Sequence, residues 1–392
     1  MNIKFSTIEG RSRGYHLLLA LLIILSGMGG LSFMASYIKG HYVLGTSNLI
    51  PWGLLIVIAI YLIGLSAGAL IISSLTYVFG KEEFKPISRM AVYLSLVLIF
   101  GAMVAIGLDL GRPEKSTRLF MLFILNNMRS MFAVNGILYG GYFLISLVYL
   151  GFIFAEKPKV TKKIGILAIF WASLVHMGTG AIFGFIAARP IYHSPIRPFE
   201  FLAAAIVSGL GLLIITIVSV FKFIKREFDQ VIIFSLSRLL FVTIFLLLIL
   251  VGVDKLTHLY PPHREPILWL LTGPFSWIFW GLQVGCAYLL PILILAHPRY
   301  KKSIKGVMVA SFSVVIGIFG ERFVLIIPGT AHPLPFYPGK IEGVWGAAGT
   351  FHLTLAELLL SIGLFAFMGL FYLFGLKHLD LLPVTKNSGS MR

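Results

Sequence analysis

Ten apolar runs, each long enough to cross about 30 Å of hydrocarbon, alternate with short charged segments along the chain. They lie near residues 15–38, 50–79, 88–108, 131–154, 164–187, 199–223, 231–253, 274–296, 306–327 and 350–374. Helices satisfy their backbone donors and acceptors internally, so the pattern predicts an all-α polytopic membrane protein of about ten spans. The first run, Tyr15 to Ile38, follows the basic residues Lys4, Arg11 and Arg13. It is too long for a signal-peptide core and lacks a small-residue cleavage site, which predicts a retained span. The stretch Leu119–Leu125 is too short to cross and is bracketed by Arg118, Asn126, Asn127 and Arg129. It reads as an interfacial or re-entrant piece.

Composition sharpens this. Of 392 residues, 58% are hydrophobic and 12% charged, whereas a soluble domain carries about a quarter of its residues charged. The net charge of +17 does not imply nucleic acid, because the basic residues are dispersed among short loops. With ten spans, the loops on the side of the termini carry 20 Lys and Arg, the opposite loops carry 11, and Arg238 is left inside a span. Basic loops stay inside, so both termini are predicted cytoplasmic. The outer loops hold Pro, His and most span-end carboxylates, as in 107–118, 187–200, 252–266 and 326–340. Loops of that character carry function more often than plain connectors do. A single cysteine, Cys286, excludes an intrachain disulfide, a cysteine-ligated iron–sulfur centre and CxxCH haem attachment.

A faint internal repeat is also legible. An offset of 145 carries Asp109 onto Asp254, His176 onto Glu321 and Gly64 onto Gly209. Partners lie four spans apart, so the copies run parallel. This predicts one four-helix bundle over 50–187, a second over 199–327, and flanking helices at 15–38 and 350–374.

Charged groups near the bilayer centre cost about 2.5–3.5 kcal/mol on insertion scales, which makes intramembrane ionisable groups functional candidates. Asp109, Asn135, His176, Asp254, Glu321, Arg322, His352, Glu357 and Arg238 are such residues here. His176, central in its span, either meets a ligand or proton or bonds a neighbouring helix. Gly178, Gly180 and Gly184 beside it permit close helix packing or room for a flat ligand. Glu321 and Arg322 are adjacent and do not face each other on a helix. Each is therefore expected to find a partner elsewhere, with Asp109, Asp254 and Glu357 at similar depth. Asp109 and Arg112 of LDLGRPE suggest a loop-closing clamp. Arg238 is expected to snorkel to headgroups.

These residues resemble a known family. LDLGRPE ending the third span, the short stretch after it, Asn135 opening the fourth span, His176, and the Glu321–Arg322 pair leading into IIPG (326–329) are similar to the membrane subunit of polysulfide reductase and the NrfD-like quinone-interacting proteins. The resemblance covers roughly residues 50–330. It implies two four-helix bundles side by side and a quinone or menaquinone headgroup bound near the outer face of a bacterial or archaeal cytoplasmic membrane. It also implies an extrinsic ferredoxin-like iron–sulfur subunit, with a molybdopterin or multihaem catalytic subunit beyond it, as in anaerobic respiration. The protein itself is then a quinone-reactive subunit without haem, iron–sulfur cluster or metal. Under this resemblance His176 or Asp109 accepts the quinol proton, and Asn135, Arg112, Tyr139 and Gly180 contact the headgroup or its loop. Asp254, Glu321, Arg322 and Glu357 then form a second polar cluster or proton path.

Two other classes compete. A dihaem cytochrome b needs facing histidine pairs, whereas His16, His176 and His352 lie at three different depths. A secondary transporter fits the repeat and the mid-membrane polar groups.

Overall fold

The computed structural model describes residues 3–115, 118, 121, 125–333 and 348–384. Among these, ten helices are long and apolar enough to cross a bilayer. They are α1 (Arg13–Lys39), α2 (Leu54–Tyr77), α3 (Lys85–Asp109), α4 (Met131–Phe154) and α5 (Pro158–Gly184). They continue as α6 (Arg197–Phe223), α7 (Gln230–Leu259), α8 (Ser276–Ala296), α9 (Ile304–Ala331) and α10 (Leu355–His378). The protein is a multi-pass, all-α integral membrane protein. Ten crossings bring both ends to one face, the terminal face, where β1 (Phe5–Ser6) pairs antiparallel with β2 (Leu382–Pro383). Arg89 fastens this junction. Its guanidinium lies 4.0 Å over the Phe5 ring, donates to Asp380 O at 3.2 Å and pairs with Glu156 at 3.0 Å.

Local chemistry sets the helix ends. Ser12, Asp229 and Thr354 accept from Tyr15 N, Val231 N and Glu357 N at the starts of α1, α7 and α10, satisfying donors that have no intrahelical partner. Prolines occupy the first turns of α3, α5 and α6, where a missing N–H costs nothing. The largest shifts from the apolar runs fall in two helices. α5 begins at Pro158, because its first turns include Lys159, Lys162 and Lys163, and it ends at Gly184. α7 continues to Leu259, so Asp254, Lys255 and His258 stand on helix rather than loop. Within α8, Phe279–Leu289 is wound as a wider π-helix. Most of Leu119–Leu125 lies outside the described residues.

Packing is organised around α2, of whose apolar window 89% is buried, against 11% for α1. α2 packs on α3 and α5, and α4 on α3 and α5. The same neighbour pattern recurs four helices later, with α6 on α7 and α9, and α8 on α7 and α9. The two groups meet where α2 lies against α6 and α9, and α5 against α6. α10 packs on α1 and α3.

The α2–α6 crossing depends on missing side chains. A methyl at Gly209 would overlap Gly68 Cα, and one at Gly68 would overlap Ala205 O and Gly209 Cα. Lipid offers no hydrophobic drive between helices, so close backbone approach of this kind holds them together. Gly209→Leu should therefore lower the thermal midpoint of the purified protein in detergent, by an amount matching an overpacking cost of about 1–3 kcal/mol or more. Gly252→Leu, where nothing lies within 4 Å, should leave the midpoint unchanged in the same melting experiment.

Candidate functional site

α2 and α4 begin, and α3 and α5 end, on the far face, opposite the termini. Between these four ends lies a cavity of about 320 Å³. Its walls are mainly apolar and aromatic, including Ile56, Ile63, Trp52, Phe132 and Phe183, with Asp109, Asn135 and Tyr139 as the polar side chains. Asp109 is the last residue of α3, whereas Asn135 and Tyr139 are one turn apart on α4 and share a face.

The hydrogen bonds show what remains free. Thr179 of α5 has one hydroxyl proton and donates it to Val175 O at 2.6 Å. The Tyr139 hydroxyl, 2.9 Å from Thr179 Oγ1, is then the donor of that pair. Asn135 donates one amide hydrogen to Met131 O at 2.8 Å, and its Oδ1 lies 3.5 Å from Thr179 Oγ1. Among the described residues that long contact is the one recorded for Asn135 Oδ1, which leaves it the most weakly engaged acceptor at the cavity wall.

Asp109 does not pair with Arg112. Its partner is His41, in the turn between α1 and α2, with His41 Nε2 3.7 Å from Asp109 Oδ1. Arg112 is 62% exposed and reaches Glu114 in its own loop at 3.9 Å, since the turn at Gly111 (φ 69°) carries it away from the helix end. The bond and charge of Asp109 raise the His41 pKa above its ordinary value against the opposing effect of burial, and Glu357 adds to the rise. Glu357 also caps α2, accepting from Leu54 N at 2.5 Å, while its Oε2 is buried without a partner among the described residues. Glu357 therefore stands with Asp109 and His41 rather than with Asp254 and Glu321.

His176 is buried with each ring nitrogen near a backbone carbonyl, Nε2 2.8 Å from Ile63 O and Nδ1 2.7 Å from Ala172 O, and a neutral ring donates to one of the two at a time. It joins α5 to α2 and is not among the residues lining the cavity. Gly180 packs against Arg197 O and Pro198, so the space beside it is filled by α6. His352 lies near the far-face end of α10 with its Nε2 3.1 Å from Thr350 Oγ1.

A second charged group lies among the far-face ends of α6 to α9. Arg197 meets Glu200 at 2.6 Å and Asp254 at 3.2 Å, and Asp254 also meets Lys255 at 2.7 Å and His258 at 3.5 Å. Glu321 and Arg322 pair with each other at 3.3 Å, contrary to the expectation for adjacent helix positions. The reason is reach. The Glu321 carboxylate is held sideways by the Tyr288 hydroxyl at 3.1 Å, and Arg322, lying 3.8 Å over the Phe201 ring, extends one amino group to it. Sequence reasoning missed His41, Arg197, Glu200, Lys255, His258 and Tyr288. The i,i+3 spacing of Arg197 and Glu200 was the one usable signal. Among the described residues no group of three His, Cys, Asp or Glu is arranged to hold a metal ion.

The sequence profile of the family described as "Polysulphide reductase, NrfD" matches residues 42–333. The protein belongs to that family. The NrfD match spans α2 to α9 and stops short of α1 and α10. Similarity to individual NrfD-type proteins extends further. The sequence is 36% identical to the Hdr-like menaquinol oxidoreductase integral membrane subunit of Archaeoglobus fulgidus, over 98% of each protein. It is 30% identical to a selenate reductase subunit of Mesobacillus selenatarsenatis, over 81% of this protein and 83% of the other. With a polysulfide reductase subunit of Wolinella succinogenes it shares 25% identity over 72% of this protein and 95% of the other.

The His41–Asp109 pair has a signature in this NrfD protein. A histidine whose pKa is raised on folding stabilises the fold fully below its unfolded pKa, and that contribution is lost as pH rises through the folded value. His41→Gln should therefore cost stability at pH 5.5, on the order of 0.5 kcal/mol for a partly exposed pair, and nothing at pH 8.5. Thermal melts at the two pH values check this. A penalty independent of pH contradicts it.

Proposed function

We propose that the far-face cavity binds a quinol of the menaquinol type, and that the protein passes its electrons to an extrinsic iron–sulfur subunit of a respiratory oxidoreductase. The observation that carries this reading is the cavity itself: about 320 Å³ between helix ends, apolar and aromatic, with an acid, an amide and a phenol in its wall. That is the shape and chemistry a flat, lipid-soluble headgroup requires. Relatives whose names are menaquinol oxidoreductase and polysulfide reductase subunits support it.

Basic loops favour the cytoplasm, and 20 Lys and Arg flank the terminal face against 11 on the far face. The termini are accordingly cytoplasmic, and the cavity opens toward the exterior of a prokaryotic cytoplasmic membrane. An iron–sulfur partner docks on that outer face and connects to a molybdopterin or multihaem catalytic subunit. One cysteine cannot ligate a cluster, so the electrons leave through the partner.

Quinol oxidation releases two protons with two electrons, and each proton needs an acceptor within hydrogen-bond reach. Asp109 is that acceptor. His41, with Nε2 3.7 Å away, is placed to receive each proton from the carboxylate. Asn135 Oδ1 accepts from a quinol hydroxyl, Tyr139 lies beside the headgroup, and Trp52, Phe132 and Phe183 pack along it. His176 acts at one remove, by fixing α5 to the α2 backbone at Ile63, whose side chain lines the cavity. Asp254, Glu321 and Arg322 belong to a hydrated proton path in the second half. Arg322 Nη2 and Glu200 Oε1 are buried there without partners among the described residues, beside a void of about 20 Å³, room enough for a water.

Steady-state oxidation of a short-chain menaquinol by the assembled complex in proteoliposomes tests the assignment. Asp109→Asn should lower kcat about 100-fold or more, the usual scale for loss of a proton acceptor. Asn135→Leu should act mainly by raising KM. Full kcat in the Asp109→Asn complex removes Asp109 from the reaction.

A further inference from the structure

On the terminal face, away from the groups described above, α7 and the end of α8 leave a groove of about 730 Å³ between them. Its lining combines the apolar side chains of Phe234, Phe241, Val242 and Leu295 with the cations Arg238, Lys301 and Lys302. All three cations are exposed, and among the described residues none lies within ion-pair distance of a carboxylate. Lys301 and Lys302 stand in the turn between α8 and α9, at the edge of the apolar region.

Arg238 is the unusual member. It follows Gln230, the first residue of α7, by a little over two turns, about 12 Å along the axis. It therefore lies below the level of the loop lysines. Helical side chains lean toward the N-terminus, which for α7 is the terminal face. Among the described residues, the one bond from its guanidinium is long, Nε to Phe234 O of its own helix at 3.4 Å. The two terminal amino groups are left to something that is not protein. A permanent cation at such depth is costly unless an anion or water reaches it.

We propose that this groove is a binding site for an anionic phospholipid, with Arg238, Lys301 and Lys302 around the phosphate and an acyl tail lying along Phe241 and Val242, deeper on α7 than Arg238. Charge complementarity selects the occupant. Three cations without an ion-pair partner among the described residues, lining a groove whose apolar wall continues deeper along α7, match a phosphate joined to a hydrocarbon tail, and basic pockets between membrane helices bind headgroups in this way. Arginine adds a planar fork that takes two phosphate oxygens at once. The site is independent of the quinol assignment, being on the opposite face and in the other helix group.

Native mass spectrometry of the detergent-purified complex tests it, after incubation with equal amounts of phosphatidylglycerol and phosphatidylcholine. One phosphatidylglycerol per copy of this protein should be retained in preference. Combined Arg238→Gln, Lys301→Gln and Lys302→Gln substitution should reduce its retention at least tenfold, and Val242→Trp, which fills the groove but keeps the cations, should reduce it as well. Menaquinol oxidation and the elution profile should stay as in the parent, because these residues are exposed. Equal retention of both lipids, retention unaffected by the triple substitution, or displacement of the lipid by millimolar inorganic phosphate overturns the proposal.

Discussion

Hydrocarbon supplies no hydrogen bonds, so a polar group placed in it must find its partner within the protein. That constraint governs most of what is distinctive in this molecule. α2 begins at Gly53 without a side-chain cap of its own, and Glu357, from α10 more than 300 residues away in sequence, supplies the acceptor for Leu54 N. His176 lies between two carbonyls, to either of which its ring N–H can donate. Arg189, at the far face, donates to Gly329 O, Thr330 O and His332 O at the end of α9. Where the rule is met, the polar group serves as a fastening. Where an atom is left weakly engaged beside a cavity, as at Asn135 Oδ1, it becomes available for chemistry.

The same constraint explains how similar positions serve two purposes. Asp109 and Asp254 lie at corresponding places in the two groups of helices. Asp109 borders a cavity and meets one half-buried histidine. The Asp254 side chain is fully enclosed and meets Arg197, Lys255 and His258. An acid with a single, partly exposed partner beside an open volume is free to exchange protons with a ligand. An acid surrounded by cations is a structural anchor first.

Span number, helix class and family were legible in the sequence, because crossing a bilayer demands long uninterrupted apolar runs and each loop adds a charge label. Asp109 and Asn135 could be selected as polar residues in the wrong solvent, Tyr139 entered through the family resemblance, and the three line one cavity. Pairing was not legible. Arg112 follows Asp109 closely in sequence, but the turn at Gly111 sends it outward, and the partner comes from the α1–α2 turn instead. No local pattern distinguishes His41 from any other loop histidine. Glu321 and Arg322 meet despite adjacency because long side chains bend around a tyrosine and a phenylalanine ring that only the fold brings there. Sequence patterns report which groups are expensive to bury; which of them meet depends on the helix neighbours.

The central claim is that a quinol headgroup occupies the volume between the far-face ends of α2, α3, α4 and α5. Photolabelling of the assembled complex with an azido-menaquinone, followed by peptide mapping, addresses it most directly. Adducts confined to the cavity wall, on Phe132 to Tyr139 of α4 and around Trp52 and Leu110, and suppressed by excess menaquinol, are the predicted result. Competable labelling that falls instead on α7 to α9, with none on α4, would contradict the account.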